Sequence, residues 1–152
     1  MLSPDEVIGA SGAPISMQVE RGRLRLFARA TGLSDPVYFD VGAARARGYP
    51  DVVAPPTFLH AVELDGADPF EWITDLGVDM KNVLHGGQRF AYERLVFAGD
   101  TVTAHSAITD VYEKKSGTLM FIDRKTDVRR DEELVAVLSK TVIVRTERGS
   151  AA

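Results

Sequence analysis

Residues 52–64 read VVAPPTFLHAVEL, and this stretch decides the fold. Proline has no backbone N–H and breaks a helix from within, but it is well suited to the first helical position. We therefore predict an extended run up to Pro55 and a helix that begins at Pro56 and continues over residues 57–64. That helix is apolar almost all the way round, which is typical of a helix inside a protein rather than on its surface. The stretch predicts a buried central helix.

The chain before this stretch alternates between strand and helix patterns. Residues 3–6 have the form of a helix start, with a serine cap followed by proline and two acids. Apolar and polar residues alternate over 15–20, which predicts a strand. Residues 24–31 carry apolar side chains at helical spacing. Residues 33–40 contain Asp-Pro and predict a loop, and residues 41–47 predict a short helix that ends at a glycine.

After residue 65 the sequence becomes rich in Val, Ile, Thr, Phe and Tyr, which favour strands. Short polar turns of hairpin type separate the predicted strands. These strands are residues 89–96, 101–111, 118–128 and 134–145. Helices followed by hairpin-linked strands predict an α+β domain with an antiparallel sheet, and the apolar helix predicts that the sheet wraps around it.

Composition excludes several classes of function. Of 152 residues, 45% are hydrophobic and 26% are charged, as in an ordinary globular protein, and we expect one domain over residues 1–152. The absence of cysteine excludes disulfides and thiolate chemistry. A net charge of −4 disfavours a nucleic-acid partner, and the apolar runs are too short for a membrane span. The three histidines have no metal-site spacing, so we expect no metal. No secretion signal is visible, which favours the cytoplasm.

Six short motifs, in this order and spacing, resemble those of the MaoC-like hotdog dehydratases. They are FARATG at 27–32, DPVY at 35–38, AARARGY at 43–49, VAPPTF at 53–58, LHGGQRF at 84–90 and AGDTV at 98–102. The similarity covers about residues 5–146. It is closest to the branch named after the MaoC dehydratase N-terminal domain, which includes subunits of 3-hydroxyacyl-thioester dehydratases of the R-specific enoyl hydratase type. The resemblance implies a single hotdog fold, an antiparallel sheet wrapped around a central buried helix.

The resemblance also implies a reaction, the hydration of a trans-2-enoyl thioester or the reverse dehydration. An aspartate and a histidine of the family handle the water and the α-proton. Backbone N–H groups at a helix N-terminus polarise the thioester carbonyl, and a groove holds the acyl chain. The substrate is carried on coenzyme A or acyl-carrier protein, and no other cofactor is implied.

Both catalytic residues of this pattern are missing. Active members of the wider family read roughly Ala-Thr-Gly-Asp-x-Asn-Pro-x-His, which places the aspartate at Leu33 and the histidine at Tyr38. Leucine has no proton to exchange, and a phenol with a pKa near 10 is a poor substitute for imidazole. In the N-terminal-domain branch the dyad commonly lies on a second hotdog. We therefore expect a homodimer or a heterodimer with a second hotdog subunit.

Other residues are candidates for the missing chemistry. Asp35 is a possible displaced base, although an aspartate before proline more often caps a turn. Asp40 is a weaker candidate, since it is placed to cap the next helix. His85 begins the glycine-rich HGGQ segment, which either serves catalysis or simply fixes the start of a strand. With Asp35 and His85 the chain would be a self-sufficient homodimeric hydratase.

A third set of residues favours binding over acid–base chemistry. If the central helix begins at Pro56, the N–H groups of Thr57 and Phe58 are free to meet a ligand. Pro55, Tyr38 and the glycines 86 and 87 complete the predicted substrate-binding set. The alternatives are a non-catalytic acyl-binding module and a hotdog thioesterase. The thioesterase would need a carboxylate on the central helix, and Glu63 is the one acid there.

Overall fold

The structure is a computed structural model and describes residues 4–146. In chain order its helices and strands are α1 (Pro4–Val7), β1 (Ile15–Gln18), α2 (Arg21–Ala30), α3 (Val41–Ala46), α4 (His60–Glu63), α5 (Glu71–Thr74), β2 (Val83–Tyr92), β3 (Thr101–Lys114), β4 (Leu119–Arg130) and β5 (Glu133–Arg145). Short 3-10 turns lie at Pro36–Tyr38 and Met80–Asn82. The serine proposed to cap α1 lies outside the described residues.

The five strands form one antiparallel sheet in the order β1-β3-β4-β5-β2. β5 lies inside the sheet, between β4 and β2, and β2 forms one edge. Inward-facing side chains of the long strands pack against α4 and the turn before it. The predicted α+β class and the antiparallel sheet around a buried central segment are confirmed. Among the described helices none is long and apolar enough to span a membrane.

The first long strand lies earlier in the chain than the sequence predicted. β2 covers Val83–Tyr92 instead of residues 89–96. Val83 pairs with Val144, so the strand already begins before the glycines that were expected to fix its start. It ends because the N–H groups of both Glu93 and Arg94 donate to the carbonyl of Val135, which leaves two residues opposite one and turns the chain out of the ladder.

The central helix is shorter than predicted. Only His60–Glu63 is α-helical, and the residues before it form turns in place of a helical start at Pro56. Thr57 has a φ of 68°, a left-handed conformation that is unusual for a β-branched residue. The N–H of Phe58 donates to the carbonyl of Pro55. The middle of the segment is nevertheless buried as predicted, since Phe58, Leu59 and Val62 are at most 2% exposed, whereas Leu64 at its end is 44% exposed.

Two apolar clusters fill the concave side of the sheet. The first surrounds Phe58 and includes Leu138 and Val128, and the second surrounds Ile73 and includes Val142 and Ile122. Between the clusters the inward positions of three strands are polar rather than apolar. These positions are Ser106 of β3, Thr126 and Arg124 of β4 and Lys140 of β5. We call these four residues, together with Glu63 of α4, the polar layer.

A glycine makes the close approach of β2 to β5 possible. The register shifts between His85 and Gly87 mark a bulge at Gly86. A Cβ at Gly86 would lie 2.8 Å from Cγ1 of Ile143 and 3.0 Å from the carbonyl oxygen of Thr141. Since a backbone atom is involved, the neighbours cannot simply move aside. Gly86 is therefore required by packing.

We expect Gly86→Ala to lower the free energy of unfolding by about 1–3 kcal/mol, because the added methyl overpacks the bulge. Urea denaturation measures the change. Gly87→Ala is the matched control, since nothing lies within 4 Å of its Cβ and its stability should be unchanged or slightly higher. Equal stability of the two variants would contradict the packing role of Gly86.

Candidate functional site

The loop after α2 carries the two positions at which the family pattern has its catalytic pair. Leu33 follows Gly32, whose φ of 75° ends the helix, and the Leu33 N–H donates to the carbonyl of Ala28. Tyr38 closes the 3-10 turn Pro36–Tyr38 and is partly buried. It lines a cavity of about 100 Å³ together with Pro55 and Pro56. The structure therefore brings three of the predicted binding residues together.

Asp35 has a structural partner on each side. Its carboxylate accepts a hydrogen bond from the N–H of Val37, which caps the 3-10 turn, and it lies 2.8 Å from Nη1 of Arg47. These hydrogen bonds hold the pKa of Asp35 below its ordinary value. Asp40 similarly accepts the N–H of Ala43 and caps α3. Both aspartates thus have the capping roles that the sequence left open.

His85 lies in another part of the fold. It is an exposed residue of β2 and lines a cavity of about 240 Å³ between α5 and the sheet, which also contains His60 and Lys140. Asp35 does not line that cavity. The structure therefore places the two candidate acid–base residues in separate sites of this chain. Gly86 and Gly87 form the adjacent bulge.

The backbone N–H groups of Thr57 and Phe58 are both engaged, contrary to the prediction that they are free. The Thr57 N–H donates to the hydroxyl of Tyr92 over 2.8 Å, and the Phe58 N–H is used within the turn. The physical reason is the turn at Pro55, which replaces the helical start and redirects both groups. Desolvation raises the pKa of Tyr92, so its phenol stays protonated and keeps its own O–H to donate.

Glu63 is the centre of the polar layer and is 3% exposed. One carboxylate oxygen accepts a hydrogen bond from the hydroxyl of Thr126 at 2.5 Å. The other lies 2.9 Å from Nζ of Lys140 and 3.0 Å from Nδ1 of His60. Thr126 in turn hydrogen-bonds Ser106 at 2.8 Å. The carboxylate is thus bound by Thr126 and Lys140 of the sheet on one side and by His60 of α4 on the other.

The electrostatics of the layer follow from burial and pairing. Burial alone would raise the pKa of Glu63, but the bonds from His60, Lys140 and Thr126 outweigh it and lower the pKa to about 2. Burial also lowers the pKa of Lys140 and Arg124, against the attraction of Glu63. The guanidinium of Arg124 lies 4.6 Å from the centre of the Trp72 ring.

Glu63 is a candidate from the sequence, but the two cations that face it were not predicted. The signal was present in the strand alternation. Arg124 falls between Ile122 and Thr126, and Lys140 falls between Leu138 and Val142, all at inward positions of β4 and β5. A charged residue at an inward position of a strand requires a buried partner. His105, by contrast, is exposed on β3.

We expect Glu63→Gln to lower the free energy of unfolding at pH 7 by about 3 kcal/mol or more, because it leaves buried cations without their carboxylate. The folded-state pKa lies below the ordinary 4.5, so this stabilisation is complete above about pH 4.5 and is lost as the pH falls towards 2. The gap between wild type and variant should therefore narrow by about 3 kcal/mol over that range.

Urea denaturation at a series of pH values measures this gap. Glu132→Gln is the control, since Glu132 is exposed in the turn between β4 and β5 and should give a difference near zero at every pH. A gap for Glu63→Gln that stays constant between pH 4.5 and 2 would show that the carboxylate is not stabilised in the fold.

Known proteins are similar to this chain over most of its length. Residues 6–138 match the family model described as "FAS1-like, dehydratase domain region". A UPF0336 protein of Streptomyces avermitilis is 36% identical over 143 residues, which is 93% of this chain and 95% of that protein. A UPF0336 protein of Thermobifida fusca is 33% identical over 86% of each chain.

The solved structures agree with these relatives. A chain of the HadBC complex of Mycobacterium tuberculosis, described as a 3R-hydroxyacyl-ACP dehydratase, superposes with a TM-score of 0.76 at 25% identity over 92% of this chain and 99% of that one. A MaoC-like dehydratase superposes with a TM-score of 0.79 at 25% identity, over 91% of this chain and 42% of that longer one. This chain belongs to the FAS1-like dehydratase-region family, and it has the hotdog fold of the MaoC-like dehydratases.

Proposed function

We propose that this chain is a subunit of an acyl-thioester dehydratase, and that its partner supplies the catalytic aspartate and histidine. The reaction is the interconversion of a 3-hydroxyacyl thioester and a trans-2-enoyl thioester. This chain contributes the acyl groove and the interface. The substrate is carried on coenzyme A or acyl-carrier protein, with no further cofactor, and the compartment we propose is the cytoplasm.

The proposal rests on two side chains of the loop after α2, Leu33 and Tyr38. The family fold is intact there, with α2 ended by Gly32 and the turn capped by Asp35, but Leu33 and Tyr38 occupy the dyad positions. Removal or addition of the α-proton needs an acid–base group whose pKa lies near 7. Neither side chain provides one, so a second chain has to bring it.

The groove that we assign to the substrate lies beside this loop. Its walls are apolar, with Pro55, Pro56 and Leu95 facing Tyr38. Its polar side chains are those of Tyr38, Tyr92 and Arg94, and the phenol of Tyr92 accepts the N–H of Thr57 and still has a proton to donate. A thioester or amide carbonyl of the substrate would accept a hydrogen bond from this hydroxyl. The groove thus combines a mostly apolar wall with a few hydrogen-bond donors, as acyl-binding sites do.

The open edge of the sheet supports a hotdog partner. Within residues 4–146, β2 is paired on one side only, with β5, and its Leu84 and Tyr92 are 41% and 43% exposed. A long exposed edge strand in water invites pairing with another chain. The structural relative HadBC is described as a complex. We propose either a second copy of this chain or a different hotdog as the partner at this edge.

Two alternatives lose support from the geometry. A self-sufficient hydratase would need Asp35 and His85 together, and they lie in separate sites of this chain. A thioesterase would need Glu63 as a base, but both of its oxygens accept hydrogen bonds and its pKa is about 2. A carboxylate so strongly stabilised in its ionised form is a weak base.

The test is an assay of the purified chain with crotonyl-CoA, followed by absorbance of the conjugated thioester. We expect no hydration above the buffer rate by this chain alone. We expect activity on addition of a hotdog chain that carries the intact Asp and His, and loss of it when those two residues of the added chain are replaced. Turnover by this chain alone would overturn the division of labour.

The same assay separates Asp35 and His85 from the catalytic machinery. In the assembled enzyme we expect Asp35→Asn and His85→Ala to keep kcat within about twofold, because neither residue exchanges the substrate proton in this proposal. Asp35→Asn should cost about 1 kcal/mol of stability through its cap. A loss of kcat of a hundredfold or more in either variant would instead identify an acid–base residue in this chain.

A further inference from the structure

We propose that the cavity between α5 and the sheet is a second reaction site, in which His60 is the general base for hydrolysis of an acyl thioester. This cavity is separate from the groove at Tyr38 and holds about 240 Å³. The inference rests on the bond between Glu63 and His60 and on the walls of the cavity. The site and the reaction both differ from those of the proposed dehydratase role.

Glu63 determines which nitrogen of His60 is free to react. The carboxylate is ionised at neutral pH because its pKa is about 2, so Nδ1 of His60 provides the hydrogen of the 3.0 Å bond between them. In the neutral imidazole, Nε2 then has an unshared electron pair. No group within residues 4–146 hydrogen-bonds Nε2. An aspartate orients the histidine base of a Ser-His-Asp triad in the same way.

His60 lies where the polar layer meets the cavity. Its side chain is 35% exposed, whereas the side chain of Glu63 is 2% exposed. The two nitrogens of an imidazole ring point in nearly opposite directions, so a ring that is bound at Nδ1 by a buried carboxylate has Nε2 on its open side. His60 also lines the cavity. Water that enters the cavity therefore reaches Nε2, which is the contact that a general base needs.

The charges around His60 suit a positioned base. The negative charge of Glu63 stabilises the imidazolium that forms when Nε2 takes up a proton. Lys140 binds the same carboxylate oxygen at 2.9 Å and opposes this effect in part, while Thr126 holds the other oxygen. The other ionisable side chain on the cavity wall is His85 of β2. Glu63 is itself too weak a base for hydrolysis, so it is a positioning residue for His60.

The walls of the cavity indicate an acyl chain. The lining is apolar apart from His60, His85 and Lys140. Its apolar members are Leu64, Pro69, Phe70, Trp72, Ile73, Met80, Val83, Leu84 and Val142. Four of these are large apolar side chains that are exposed, namely Leu64, Phe70, Met80 and Leu84. A hydrocarbon chain would cover them.

The site favours a neutral thioester with a short or medium chain. A cavity of about 240 Å³ is smaller than the usual range of roughly 300–1,000 Å³ for drug-sized ligands, which favours a chain such as octanoyl. The site has one positioned base and no separate acid to protonate a leaving group. A thiolate leaves without such an acid, since thiols have a pKa of about 8.5, whereas an amine or an alkoxide needs one.

The reaction needs water and no other co-reactant. Nε2 of His60 takes a proton from water while the water oxygen bonds to the carbonyl carbon. The carbonyl oxygen gains negative charge, and an imidazole N–H of His85 in the same cavity donates to it. The carbon–sulfur bond then breaks, and the proton on His60 passes to the thiolate. The products are a free acid and a thiol, and the ionised Glu63 repels the acid, which favours its release.

The test is the release of thiol from octanoyl-CoA by the purified chain, measured with a thiol reagent. The chain has no cysteine, so the protein itself gives no signal. We expect kcat/KM to be at least about tenfold higher for octanoyl-CoA than for acetyl-CoA, because the additional methylene groups are buried in the cavity. Thiol release at the buffer rate, or equal kcat/KM for the two substrates, would overturn the proposal.

This assay is independent of the proposed dehydratase role. Octanoyl-CoA has neither a double bond nor a 3-hydroxyl group, so hydration and dehydration make no contribution to the signal. Hydration of crotonyl-CoA releases no thiol, so the same reagent separates hydrolysis from hydration in the dehydratase assay. Failure of either proposal is therefore visible without the other.

His60→Asn separates a general base from a structural residue. The asparagine amide keeps an N–H for Glu63 but has no group that takes up a proton, so we expect kcat/KM to fall at least about a hundredfold. In wild type, kcat/KM should rise with pH to a plateau as the base loses its proton, and the residual rate of the variant should lack this rise. A merely structural role would leave the pH profile unchanged.

His105→Asn is the matched control, because His105 is an exposed histidine of β3 that does not line the cavity. We expect it to hydrolyse octanoyl-CoA as wild type does. Thiol release that survives His60→Asn, or that falls equally with His105→Asn, would contradict the role of His60. The comparison of octanoyl-CoA with acetyl-CoA uses wild type alone and decides the question even if His60→Asn does not fold.

Discussion

The salt bridge between Glu63 and Lys140 is the interaction on which the rest of the structure depends. It joins α4, which packs on the concave side of the sheet, to β5, a strand within the sheet. The carboxylate is also held by Thr126 of β4 and by His60 of its own turn. A buried carboxylate without these partners would cost several kcal/mol, so the position of α4 over the sheet is tightly constrained.

The same constraint divides the interior into two regions with different chemistry. On one side of the polar layer lies the cluster around Phe58, next to the loop that carries Leu33 and Tyr38. On the other side lies the cluster around Ile73, which supports the cavity under Trp72. The family to which the chain belongs explains the first region, where the fold of a dehydratase is kept without its catalytic pair. The second region borders the polar layer, whose buried ion pair the proposed dehydratase role does not use.

Turn geometry accounts for the differences between the predicted and observed elements. The sequence of residues 57–64 predicts the burial of Phe58, Leu59 and Val62 correctly, because burial depends on which side chains are apolar. It predicts the length of the helix poorly, because Thr57 adopts a left-handed conformation that is unusual for threonine. The start of β2 was missed for a similar reason. Glycines usually mark turns, but at Gly86 the missing side chain instead allows close contact with Ile143 inside the sheet.

The sequence by itself determined the α+β class, the antiparallel sheet, the buried central segment and the absence of the dyad at positions 33 and 38. Each of these follows from local alternation, from composition or from motif order, which are properties of the linear chain. Only the tertiary structure decided which polar residues meet. Glu63, Thr126 and Lys140 are far apart in the sequence, and their contact depends on strand register and on the angle of α4. The engagement of the Thr57 N–H by Tyr92 and the separation of Asp35 from His85 were decided in the same way. A contact between distant residues is a property of the packed chain, so no local pattern records it.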